Sequence, residues 1–119
     1  MADYLLDTSF LIDLINGEER VSETHEKTRG EQAASTVSVY ELSKFDGFDI
    51  SSIEEKRVLS FSTDDASRAG DVYRSLEEKG EPVGETDTMI AGVALSRGLK
   101  LVTRDRDFEN IDGLDTLSY

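Results

Sequence analysis

The chain has 119 residues, of which 37% are hydrophobic and 33% charged, and this is enough for one ordinary domain with a single core. Its 26 acidic residues outnumber 13 basic ones, and the net charge of −13 is the opposite of the basic footprint of most nucleic-acid-binding proteins. The absence of cysteine excludes disulfides, thiolate catalysis and cysteine-ligated metal centres, so any metal ion has to be held by oxygen. We expect a single domain over residues 1–119.

The N-terminal segment MADYLLD has no basic region ahead of an apolar one, and no apolar run approaches the roughly 20 residues that span a bilayer. We therefore expect a cytoplasmic protein without a membrane partner. The acidity indicates either a positively charged partner or a cell with high internal salt, where the Debye length falls to about 3 Å at 1 M, and we favour the second. Pairs of acids are expected on solvated helix faces or turns. These pairs are Glu18-Glu19, Glu54-Glu55, Asp64-Asp65 and Glu77-Glu78.

The first half of the chain predicts two strand-to-helix units. A strand at 4–6 leads into a helix at 10–15, with Thr8 or Ser9 as its cap and Gly17 at its end. Residues 18–33 are polar and show only a weak helical pattern. A second strand is predicted at 34–39, followed by a helix from Tyr40 to about Gly47.

The second half predicts two longer helices. A strand at 58–61 precedes a helix that Ser62 caps and Gly80 ends, and Thr86 can cap a further helix that ends at Gly98. Strands follow at 100–103 and 114–117. Strands that alternate with helices in this way indicate an α/β fold with a mostly parallel sheet covered on both faces.

Acidic residues fall where such a sheet would carry a site. Asp7 follows the first predicted strand, Glu41 lies just after the second, Asp105 follows the fourth, and Asp87 opens the helix before the fourth. Ligands of open parallel sheets bind beyond the carboxyl ends of the strands, so we expect these acids in one cluster. Converging carboxylates repel one another unless a cation is present, and oxygen ligands suit Mg²⁺ or Mn²⁺. Phosphodiester hydrolysis is the reaction that such a site implies.

Each acid also has a structural interpretation. Asp7 could be a turn residue, Glu41 could pair with Lys44, and Asp87 could interact with the dipole of its helix. Asp105 and Asp107 could belong to an ordinary charged loop. The combination of acids, more than any one of them, favours a metal site.

At these residues the chain resembles the PIN domain family, and most closely the VapC toxins of VapBC toxin–antitoxin pairs. The resemblance rests on segments in the family's order across nearly the whole chain, which is specific although each motif alone is not. The segments are 5–14 (LLDTSFLIDL), 38–42 (SVYEL), 84–92 (GETDTMIAG) and 101–108 (LVTRDRDF).

The resemblance implies a three-layer α/β/α sandwich with a four- to five-stranded sheet, and a Mg²⁺- or Mn²⁺-dependent endoribonuclease that cuts tRNA, rRNA or mRNA. It also implies a homodimer and a small VapB-like antitoxin as partners. The family acids match Asp7, Glu41, Asp87 and Asp105, with Asp107 as a neighbour that assists or substitutes. The supporting polar positions match Thr8, Ser9 and Thr103. Arg104, Arg106 and Lys44 are candidates for contacts with RNA phosphates, and surface ion pairs are the equal alternative.

Other interpretations compete with this one. A receiver-like phosphoacceptor domain also places acids at a sheet edge, but it needs an acid after the third strand, where Phe61 is followed by Ser62 and Thr63. A PIN-fold module that only binds a partner is a further alternative. His25, the single histidine, lies in a polar stretch, so a ribonuclease with a histidine general base is not expected.

Overall fold

A computed structural model describes residues 2–53 and 56–119 and shows a sheet of five strands in the order β3-β2-β1-β4-β5. All neighbouring strands pair in parallel. The strands are β1 (Tyr4–Leu6), β2 (Gln32–Ser35), β3 (Arg57–Leu59), β4 (Lys100–Thr103) and β5 (Thr116–Ser118). The predicted α/β class with a parallel sheet is confirmed.

Helices connect and cover these strands. They are α1 (Thr8–Ile15), α2 (Ser22–Thr28), α3 (Thr36–Leu42), α4 (Thr63–Lys79) and α5 (Glu85–Arg97), with short 3-10 segments at Glu19–Val21, Ile50–Ser52 and Arg106–Asn110. None of the helices in the described part of the chain is long and apolar enough to cross a bilayer.

Apolar side chains form a cluster on each face of the sheet. Successive residues of a strand point to opposite faces, so Leu5 joins one cluster and Leu6 the other, and Leu101 and Val102 divide in the same way. Helices α4 and α5 cover the first face, and α1 covers the second. The three-layer arrangement therefore follows from strands that are apolar on both sides.

Helices α4 and α5 approach each other closely at Gly92. A Cβ atom placed there would lie 2.6 Å from the carbonyl oxygen of Asp65 and 2.8 Å from Cβ of Ala69. The start of α4 is fixed by a capping box, in which the Ser62 hydroxyl accepts a hydrogen bond from the Asp65 N–H and the Asp65 carboxylate accepts one from the Ser62 N–H. The predicted cap at Ser62 and end at Gly80 are confirmed.

Several predicted boundaries were wrong. The second strand ends at Ser35, because the Ser35 hydroxyl accepts a hydrogen bond from the N–H of Ser38 and begins α3 at once. The alternation of apolar and polar residues over 34–39 predicted a strand, but the residues from Thr36 onward are helical. Helix α3 ends at Leu42, before the predicted end near Gly47. Gly84 precedes α5, so Thr86 is not its cap and lies inside the first turn.

Burial corrects one prediction about the acidic pairs. Asp65 is 0% exposed, although it belongs to a pair that was expected to be solvated. Its carboxylate binds Arg97 at 3.0 Å and also accepts hydrogen bonds from Ser96 and Ser62, so a buried charge is compensated. The other described members of these pairs are exposed, and Glu54-Glu55 lies outside the described residues.

Candidate active site

The carboxyl edge of the sheet carries the candidate site. Leu6 of β1 pairs with Val102 of β4, so the next residue of each segment, Asp7 and Thr103, lie side by side. The backbone N–H of Asp7 donates to the carbonyl of Val102 at 3.0 Å. Strand register alone therefore brings together two segments from opposite ends of the chain.

Asp7 is 4% exposed, and hydroxyl groups hold its carboxylate. Its Oδ2 accepts a hydrogen bond from Thr103 at 2.7 Å and another from Ser9 at 2.8 Å. Burial raises the pKa of Asp7, the hydrogen bonds lower it in part, and the charge of Glu41 raises it further. Ser9 and Thr103, both predicted to support the carboxylates, are thus hydrogen-bonded to Asp7.

Both carboxylate oxygens of Glu41, which lies on α3, accept hydrogen bonds from threonine hydroxyls. Thr8 donates to Oε1 at 2.6 Å and Thr86 donates to Oε2 at 2.9 Å. The Thr8 hydroxyl also lies 2.8 Å from that of buried Ser38. Ser38 and Thr86 were not among the predicted supporting residues, although each belongs to a quoted motif. The spacing Ser38-x-x-Glu41 on one helix could have indicated the first of them.

Asp87 lies in the first turn of α5, and its pKa is affected by the charges of the other acids. Burial, followed by the charges of Asp7, Asp105, Glu41 and Asp107 in that order, raises the pKa of Asp87 to about 6. The other predicted acids, which lie on three further segments of the chain, are therefore all within electrostatic reach of Asp87.

Asp105 follows β4 and begins a 3-10 segment. Its backbone N–H donates to the Thr103 hydroxyl at 3.0 Å, and its Oδ1 accepts a hydrogen bond from the N–H of Asp107 at 2.9 Å. Asp105 is partly buried, Asp107 is exposed, and Asp105 has the larger effect on Asp87. These observations favour Asp105 over Asp107 as the fourth acid of the cluster.

The three basic candidates for RNA contact all make contacts within the chain. The Arg104 guanidinium lies 2.8 Å from the carboxylate of Asp13, and Arg106 lies 3.7 Å from Glu109. The Lys44 ammonium lies over the Tyr40 ring, 4.6 Å from its centre. The alternative pairing of Lys44 with Glu41 does not occur within ion-pair distance.

No lysine, arginine or histidine in the ranges 2–53 and 56–119 forms an ion pair with Asp7, Glu41, Asp87 or Asp105. Within the same ranges, no three His, Asp or Glu side chains already stand in an arrangement that could hold a metal ion. Hydroxyl donors contact the carboxylates of Asp7 and Glu41, and the charges of the neighbouring acids still help to raise the pKa of Asp87.

Comparison with known proteins decides the family. The model of the PIN domain matches residues 4–114. The chain belongs to the PIN domain family. Named relatives include the tRNA(fMet)-specific endonuclease VapC of Shigella flexneri, 34% identical with 98% of this chain and 97% of the relative covered. The corresponding VapC of Salmonella typhimurium is 35% identical, with 96% of each chain covered.

A solved structure agrees with this assignment. DNA-bound VapBC from Salmonella typhimurium superposes with a TM-score of 0.87 and 32% identity, covering 99% of this chain and 98% of the other. The resemblance to VapC proteins of the PIN domain family is therefore confirmed in sequence and in fold. A receiver-like domain is set aside by the same findings.

Proposed function

We propose that this PIN domain is a metal-dependent endoribonuclease that cleaves RNA phosphodiester bonds and acts as the toxin of a toxin–antitoxin pair. The observation that carries the proposal is that Asp7, Glu41, Asp87 and Asp105 lie at one edge of the sheet. Burial and the charges of the other three acids raise the pKa of Asp87 to about 6. The relatives named as VapC endonucleases support it over nearly the full length of the chain.

The residues present fit a hard divalent cation. The available ligand atoms are carboxylate oxygens, which Mg²⁺ and Mn²⁺ prefer. The acids repel one another, and no basic side chain among the described residues forms an ion pair with them. Asp7, Glu41, Asp87 and Asp105 would hold the ion, with Asp107 nearby as an additional acid. When bound, the ion would lower the pKa of a water molecule and stabilise charge on a phosphoryl group.

The protein's own side chains orient this site. Thr103 and Ser9 fix the rotation of the Asp7 carboxylate, while Thr8 and Thr86 do the same for Glu41. These hydroxyl donors hold the two carboxylates in place without adding positive charge that would compete with a cation.

We propose tRNA as the first substrate to test, since the two named relatives are described as tRNA(fMet)-specific, with rRNA and mRNA as alternatives. The net charge of −13 opposes the approach of RNA at low salt. Screening at molar salt weakens this repulsion, so a high-salt cell would make the acidic surface compatible with RNA cleavage.

A VapB-like antitoxin is the proposed protein partner. Next to α1 lies a groove of about 250 Å³ lined by apolar side chains that include Ile12, Leu42 and Phe48. Ile15 and Phe45 in the same lining are 42% and 58% exposed, which is unusual for residues of this size. We propose that an apolar segment of the antitoxin covers this groove.

We also propose that the protein is a homodimer located in the cytoplasm.

Cleavage of a mixed RNA pool tests the proposed function. The antitoxin-free protein is incubated with Mn²⁺, Mg²⁺ or EDTA at low and at molar salt, beside Asp7→Asn. Cutting that requires metal and is abolished by Asp7→Asn supports the proposal. Absence of cutting by folded, metal-loaded protein in every condition, with total tRNA included, would favour a PIN-fold binding module without catalysis or a nuclease with a very narrow substrate.

A further inference from the structure

Asp13 is a buried acid that the proposed catalytic cluster does not include. It lies near the end of α1 and its side chain is only 6% exposed. Its Oδ2 accepts hydrogen bonds from Nε of Arg104 at 2.8 Å and from the Tyr119 hydroxyl at 2.9 Å. Burial alone would raise the pKa of Asp13, but these donors outweigh it and the pKa is lowered. A buried carboxylate held by two partners from a distant part of the chain needs an explanation.

Arg104 connects Asp13 to the loop that carries Asp105. The residue before it, Thr103, is bound to Asp7, and the residue after it, Asp105, donates its N–H to the Thr103 hydroxyl. The segment 103–105 is therefore attached through Thr103 to Asp7, which directly follows β1, and through Arg104 to Asp13 of α1. Two separate attachments on consecutive residues restrict the direction in which the next side chain, that of Asp105, can point.

Tyr119 completes the arrangement on the side of α1. Its ring packs edge-on against buried Phe10, with ring centres 4.9 Å apart and an interplanar angle of 89°. Its hydroxyl donates to the same oxygen of Asp13 that Arg104 contacts. Phe10 and Asp13 lie three residues apart on α1, so Tyr119 holds both and fixes the Asp13 carboxylate in the orientation that Arg104 requires.

We propose that Asp13, Arg104 and Tyr119 form a clamp that positions the carboxylate of Asp105 beside Asp7, so that Arg104 is a positioning residue and not a phosphate contact. The inference rests on the proposed function for its catalytic consequence. Its structural part, the restraint of Asp105 by Asp13, stands independently and is tested without metal or RNA.

Amide hydrogen exchange in EDTA tests the structural part. The N–H groups of Asp105 and Asp107 report the loop, because both donate to side chains within it. Asp13→Asn is expected to speed their exchange by about tenfold, since the negative charge that strengthens the hydrogen bonds of Arg104 and Tyr119 is removed. Asp71→Asn is the matched control, because it breaks an exposed ion pair with Arg74 on α4. Unchanged exchange at Asp105 and Asp107 in folded Asp13→Asn would overturn the clamp.

Mn²⁺ affinity and steady-state kinetics test the functional part. Asp13→Asn and Tyr119→Phe are expected to weaken Mn²⁺ binding and lower kcat by up to about 10- to 100-fold, with KM for RNA little changed. Asp71→Asn should leave both unchanged. Tyr119→Phe removes a single hydroxyl, so it remains informative if Asp13→Asn fails to fold. Normal Mn²⁺ affinity and kcat in Tyr119→Phe and Asp13→Asn would contradict the proposal.

Arg104→Lys separates positioning from phosphate binding. Lysine keeps the positive charge but cannot reproduce the two guanidinium contacts to Asp13, at 2.8 and 3.5 Å. A positioning role predicts a fall in kcat, faster exchange at Asp105 and no additive loss when Asp13→Asn is combined with it. A change confined to KM would instead identify Arg104 as a phosphate contact. If the wild type fails to cut RNA, the exchange and Mn²⁺ data still decide the clamp.

Discussion

The Thr103 hydroxyl donates a hydrogen bond of 2.7 Å to Oδ2 of Asp7, and so links residues that are 96 positions apart in the chain. The same hydroxyl accepts the N–H of Asp105 at 3.0 Å. One side chain on β4 thus orients the acid after β1 and the acid after β4. Parallel pairing of these central strands makes the link possible.

Replacing Thr103 by valine should impair the site without unfolding the protein. Valine keeps the shape of the buried side chain but leaves Asp7 and the N–H of Asp105 without this partner. We expect a loss of about 10- to 100-fold in Mn²⁺ affinity and in kcat, measured by calorimetry and RNA cleavage. Thr103→Ser, which retains the hydroxyl, should recover most of both. Wild-type behaviour of Thr103→Val would show that the hydrogen bond does not orient the site.

Asp87→Asn should stabilise the metal-free protein while it abolishes metal binding. The pKa of Asp87 is raised to about 6, so its favourable contribution is complete below the unfolded value of 3.8 and disappears as the pH rises through about 6. At pH 7.5 in EDTA the variant should gain about 1–2 kcal/mol in free energy of unfolding, allowing for partial exposure. Denaturant titration measures the gain, which should vanish near pH 4. Glu81→Gln, an exposed loop change, is the control, and an equal gain there would contradict a local effect.

Asp65→Asn should destabilise the fold in a pH-dependent way. Burial would raise the pKa of Asp65, but hydrogen bonds from Arg97, Ser62 and Ser96 lower it to about 2. A lowered pKa means that the stabilisation is present above about pH 4 and is lost as the pH falls through about 2. We expect a loss of about 2 kcal/mol at pH 7 that narrows below pH 4 in denaturant titrations. Asp71→Asn should cost less than about 1 kcal/mol, because its ion pair is exposed. A loss that did not vary with pH would argue against the ionised carboxylate as the source.

Two glycines on packed helices should respond oppositely to alanine. A Cβ at Gly92 would meet the backbone of α4 at 2.6 Å, whereas nothing lies within 4 Å of a Cβ at Gly70. Gly92→Ala should therefore cost about 1–3 kcal/mol by overpacking. Gly70→Ala, in the interior of α4, should be neutral or stabilising by up to about 1 kcal/mol, because alanine favours the helix. Thermal unfolding compares the two, and a stable Gly92→Ala would mean that the helices can separate at little cost.

Much of the fold could be predicted because local signals agreed with the tertiary structure. The strand at Lys100–Thr103 and the helix after Ser62 have clear boundaries in the sequence, and the structure confirms both. The segment around Val37 was misread, since its alternation of apolar and polar residues suits a strand as well as a short helix. Its actual conformation depends on the Ser35 cap, which presents Glu41 to the site.

The acids were predictable from their positions at strand and helix ends, but their surroundings were not. Ser38 and Thr86 reach Thr8 and Glu41 only through tertiary packing of α1, α3 and α5. The pairing of Arg104 with Asp13, across 91 positions, likewise has no local signal. The charged loop in the sequence therefore gave no indication of which arginine pairs with a buried acid.

The most direct test compares the four carboxylates in one assay. Asp7→Asn, Glu41→Gln, Asp87→Asn and Asp105→Asn are assayed for Mn²⁺-dependent cleavage of tRNA beside Asp71→Asn. If they form a single site, each should lose at least about 100-fold in rate, and Asp7→Asn with Asp87→Asn should be no worse than either alone. Asp71→Asn should retain the wild-type rate. Wild-type cleavage by two or more of the four variants would contradict a common catalytic cluster.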